Sequence, residues 1–127
     1  MKTGISPLKS PRQASRLLLT IGTCLHLLTA LFLANGGGIV FRTALCAWSL
    51  APYLLLALAL QRSKNCGGLL AGALLMLLLD AHTYWSVFVA PQSSTAALGL
   101  LMTPLFNLFC MAPLSIAANM WLGHRRP

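Results

Sequence analysis

A chain of 127 residues that is 57% hydrophobic and only 8% charged cannot cover a compact particle with polar surface, because soluble domains carry roughly 25% charged residues. Nine Lys and Arg against a single acidic residue give a net charge of +8, but the basic residues stand at the ends of apolar runs. They report topology and exclude nucleic acid as the partner.

The expected fold is all-α, a polytopic membrane protein with four transmembrane helices in an antiparallel bundle. Residues 1–16 form a basic tail. The first span, 17–35, is about a bilayer long, whereas the apolar core of a signal peptide has roughly 7–15 residues. Three more apolar runs follow, so it reads as an uncleaved helix, closed by Asn35-Gly36-Gly37-Gly38. The second span, 41–60, carries Arg42 in its first turn and Pro52 inside it. The proline ring removes one donor from the Trp48 carbonyl, which predicts a kink or a neighbouring hydroxyl. The third span, 67–90, ends at Pro91-Gln92-Ser93-Ser94-Thr95, and the fourth, 96–120, contains Pro104 and Pro113. This last apolar run exceeds a ~30 Å hydrocarbon core at ~1.5 Å per residue, so it must tilt, kink or protrude. A basic tail, 123–127, completes the chain.

Lys2, Lys9, Arg12, Arg16, Arg62, Lys64, Arg125 and Arg126 fall on one side of this topology and Arg42 alone on the other. The bias places both termini in the cytoplasm. Trp48 and the Tyr84-Trp85 pair then belong to the outer interface and Trp121 to the inner one. Cys24, Cys46, Cys66 and Cys110 have no metal-ligand spacing and are expected as buried thiols.

The residues that cost free energy to insert carry the information. Asp80, the only acid, falls ~19 Å into the core, where a carboxylate costs ~2.5 kcal/mol or more unless paired, hydrated or protonated. Thr83 and Tyr84 share its face, above Gly68-x-x-x-Gly72. His26 lies at the middle of the first span among Gly22, Thr23, Thr29 and Ala30, small residues that permit close helix approach. Its depth differs from that of Asp80 by roughly 5 Å, within side-chain reach if the two helices are neighbours. In the fourth span Gly99, Thr103, Asn107, Met111, Ser115 and Asn119 recur every four residues, but a regular helix drifts about 40° per step. Gly99, Thr103 and Asn107 can share one partner, whereas Ser115 and Asn119 should face elsewhere, near the interface. His82 falls opposite Asp80, at the outer interface. The candidate polar site is therefore Asp80, His26, Asn107, Tyr84 and Thr103, with Gly22, Ala30, Gly68, Gly72 and Gly99 as packing positions.

No catalytic motif, cofactor motif or metal-ligand set is present. The expected partners are the lipid bilayer and either a second copy or a membrane partner subunit. Two functions follow: an accessory or oligomeric membrane component acting through helix contacts, or a proton-coupled transporter or exporter of a cation or small molecule using Asp80 and His26. The turn Pro91-Gln92-Ser93-Ser94-Thr95 followed by Pro104 and Asn107 resembles a hairpin of uncharacterised small four-helix bacterial inner-membrane proteins. That resemblance covers the last two helices. It implies a bacterial inner membrane and no assigned activity.

Overall fold

The computed structural model describes residues 10–33, 38–91 and 98–125. Among them are four helices long and apolar enough to cross a membrane. α1 (Pro11–Leu28) continues into a π-helical turn, Thr29–Leu33; α2 is Ile39–Arg62; α3 (Gly67–Tyr84) continues into a second π-helical turn, Trp85–Val89. α4 spans Gly99–His124, with a third π-helical turn, Asn107–Met111, between its two regular segments. Lys2, Lys9, Asn35 and Arg126, and the Gln92–Thr95 part of the second turn, lie outside the described residues.

α1 begins at Pro11, not at Leu17, because Ser10 accepts a hydrogen bond from the Gln13 amide and proline is favoured in the first turn. Arg12 is therefore a helical residue and not a free tail charge. Its Nη2 donates to the carbonyls of Leu60 (2.8 Å), Gln61 (3.3 Å) and Ser63 (3.2 Å), the groups that the end of α2 leaves unpaired. At the other end of the hairpin, Arg42 Nε donates to the Ala30 carbonyl at 3.1 Å and its Nη2 to that of Leu31. Each helix of this hairpin thus ends on an arginine supplied by the start of the other, a cation at the negative end of a helix dipole. Arg12→Met keeps the stem but removes the donors, and should lower bundle stability by about 1 kcal/mol in a detergent melting experiment.

The hairpins α1–α2 and α3–α4 stack so that α1 also packs on α3 and α2 on α4, leaving α1 and α4 on a diagonal. The distribution of side chains is that of a membrane bundle. Large apolar groups such as Leu54, Leu78, Phe32 and Phe109 face outward, while Gly68, Gly72, Ala73, Ala112, Ser49 and Ser115 lie inside with Tyr53, Leu56, Leu69 and Met76. Lipid is as apolar as leucine, so close packing of small residues and polar contacts hold such helices together. α2 passes through Pro52, which is fully buried. The nearby hydroxyl of Ser49 donates to the Cys46 carbonyl and not to that of Trp48.

The π-helical turn in α4 corrects the expectation for Ser115 and Asn119, both of which are buried against α3. In a regular helix Asn107 and Ser115 would differ by about 80° and Asn107 and Asn119 by about 120°. The turn absorbs one residue, about 100°, which brings both within about 20° of Asn107. The four-residue row becomes one polar face. Ser115 then fills the space left by Gly72, and Asn119 lies against Gly68 and donates to Ser63 Oγ at 2.6 Å. The thiols also depart from expectation: Cys66 is buried and Cys46 half-buried, but Cys24 and Cys110 face outward, where lipid gives an apolar side chain no reason to be inside.

Candidate functional site

Four polar side chains meet in the bundle, one from each helix, and Asp80 is at their centre. His26 Nε2 of α1 lies 3.1 Å from Asp80 Oδ2, and Asn107 Nδ2 of α4 donates to Oδ1 at 3.0 Å. The Tyr53 hydroxyl of α2 donates to Oδ2. The carboxyl side chain is 2% exposed and the imidazole 12%. Three donors around two carboxylate oxygens offset much of the desolvation that burial imposes.

Local sequence explains each placement. Gly22 of α1 provides the seat for Tyr53: a Cβ there would collide with the end of the phenol ring. The His26 and Tyr53 rings meet edge to face, with centroids 5.2 Å apart. Asn107 is the first residue of the π-helical turn and is fully buried. Asp80 lies on the α3 face formed by Gly68, Gly72, Ala73 and Met76, the face that packs on both α1 and α4.

Of the residues anticipated from sequence, Asp80, His26 and Asn107 come together, while Tyr84 and Thr103 stand beside the centre. Tyr84 packs on Phe88. Thr103 Oγ1 lies 2.7 Å from Thr83 Oγ1, whose own proton goes to the Leu79 carbonyl, so Thr103 is the donor. Both line a small cavity that also touches His26, Asp80, Thr29 and Ser49; its volume is about 20 Å³, room for about one water. Ala30 is buried on the same side of α1, and Gly99 lets α4 approach Thr83. His82 is exposed on the far side of α3. Sequence reasoning passes over Tyr53.

The arrangement suits both protonation states of the acid. As a carboxylate, Asp80 accepts from all three neighbours. The Asn107 oxygen has no partner although it is buried, and after a half-turn of the amide it can accept an O–H from the protonated acid. Among the described residues no three His, Cys, Asp or Glu side chains gather as a metal site.

Gly22→Ala should displace the Tyr53 ring and break its bond to Asp80, lowering stability by about 1–3 kcal/mol. The same change in a Tyr53→Ala background should cost far less, since the colliding ring is gone. Equal losses in both backgrounds, read from melting in detergent, would show that the two residues do not touch.

No family model, curated protein or solved structure matches this chain.

Proposed function

We propose that this protein is a proton-coupled membrane transporter of a cation or small molecule, with Asp80 and His26 as the proton-binding pair. The observation that carries this reading is the buried Asp80–His26 contact, completed by an asparagine amide that can serve either protonation state. Such an amide lets a membrane-embedded acid gain and lose a proton with a hydrogen-bond partner in either form. The excess of Lys and Arg at one end supports an orientation with both termini cytoplasmic; a bacterial inner membrane is inferred from the sequence resemblance of the last two spans alone.

Proteoliposomes holding a pH-sensitive dye test the proposal. With Na⁺ or K⁺ supplied on the opposite side as the cation probe, the native protein should dissipate an imposed pH gradient, and Asp80→Asn should fold normally yet lose at least nine-tenths of that rate, because an amide cannot titrate. Equal rates for the two proteins would overturn it.

A second reading has its own observation. Both Asp80 oxygens are engaged within the bundle, as they would be in a clasp that fixes helix register in an accessory or self-associating membrane component. Under that reading Asp80→Asn leaves function intact, and a gentle-detergent pull-down recovers a partner subunit or a second copy.

A further inference from the structure

We infer that the groove between α1 and α2 is a water route to the Asp80 centre and that the Tyr53 ring is the barrier at its inner end. This inference deepens the proton-coupled reading and rests on it, since a proton that titrates Asp80 needs a path from water. The groove has a volume of about 510 Å³, far above the ~10–15 Å³ that one water needs on the same measure. Arg16, Thr20, Thr23 and Cys24 line its α1 wall, and Gln61 and Tyr53 stand on an otherwise apolar α2 wall. The small cavity that touches Asp80 and His26 is lined by neither Tyr53 nor the groove residues.

The Tyr53 ring, 2% exposed, lines the groove on one side and meets the acid on the other, and it is seated on a glycine. Its hydroxyl also occupies Asp80 Oδ2. Rotation of the ring off Gly22 would open the route and free that oxygen in one movement. A hydronium ion in the groove then transfers its proton to Oδ2, leaving water and a neutral carboxylic acid; the reverse transfer restores the carboxylate.

Cysteine chemistry tests the route without reference to transport. Cys24 and Cys110 both face outward, but of the two only Cys24 lines the groove. In membrane vesicles a charged, membrane-impermeant thiol reagent should modify Cys24 at least tenfold faster than Cys110, as read from peptide masses. If Cys24 reacts with a permeant maleimide but resists the charged reagent, the groove holds acyl chains and the water route is wrong.

Ser49→Cys places a thiol in the small cavity beside Asp80. It should resist the charged reagent with Tyr53 or Tyr53→Phe in place and become reactive with Tyr53→Ala. Tyr53→Leu provides the same comparison should the alanine variant fail to fold. Equal reactivity with the native ring would remove Tyr53 as the barrier. Because labelling is independent of proton flux, a reactive Cys24 in a protein whose Asp80→Asn variant still dissipates the gradient would refute the transport reading and leave the route standing.

Discussion

Asp80→Leu is expected to lower the stability of the bundle by about 1–3 kcal/mol, the usual cost of leaving a buried hydrogen-bonding group without its partner. Leucine is bulkier than the acid, so overpacking adds to the loss. The polar part of the loss comes from three donors on three helices, His26, Tyr53 and Asn107, all of which surrender their acceptor at once. Asp80→Asn should be far milder, since its carbonyl oxygen still accepts and its new N–H group can donate to the unpartnered Asn107 oxygen after a half-turn of that amide. Adding His26→Leu to Asp80→Leu should recover part of the loss, because removing both members of a buried pair costs less than removing one. Thermal unfolding of the four proteins in detergent gives the double-mutant cycle. Additivity within about 0.5 kcal/mol would mean that His26 and Asp80 are not coupled.

The part of this centre legible in the sequence is the part that is expensive in lipid. Asp80 and His26 stand out because little else in 127 residues carries charge within an apolar run, and the small residues around His26 mark a helix contact. Tyr53 is easily passed over because a phenol in an apolar run reads as hydrophobic. Its signal was position: it falls toward the middle of α2, whereas tyrosines of an aromatic belt gather at the interfaces. The pairing of Tyr53 with Gly22 depends on how two helices cross, which neither helix encodes alone. Ser115 and Asn119 were hidden for another reason. A single π-helical turn changes the face of every residue after it by about 100°, and a one-residue insertion in a helix has no periodic signature. Pro113, just after the turn, cannot supply a regular backbone donor and is the only local hint. Arg12 and Arg42 were legible as charges but not as caps, because their carbonyl partners lie on the neighbouring helix.

The seam between α3 and α4 should be the least tolerant surface in the protein. A Cβ on Gly68 would stand 2.5 Å from the Asn119 backbone nitrogen and 2.7 Å from its Cα. Backbone cannot rotate away as a side chain can, so Gly68→Ala must push the two helices apart. Overpacking of this kind costs about 1–3 kcal/mol, and separation of the seam would also weaken the Asn119 bond to Ser63. Gly72→Ala meets a different obstacle, the side chain of Ser115, whose hydroxyl already donates to the Met111 carbonyl. That clash can be relieved by substitution. Gly72→Ala should therefore be largely rescued by Ser115→Gly, whereas Gly68→Ala should not be rescued by Asn119→Gly, since the obstructing atoms belong to the main chain. The comparison requires only melting temperatures of the four variants in one detergent. Rescue at both positions would mean that the α3–α4 approach at Gly68 is wider than a backbone contact, and with it the seam that holds Asp80 against Asn107.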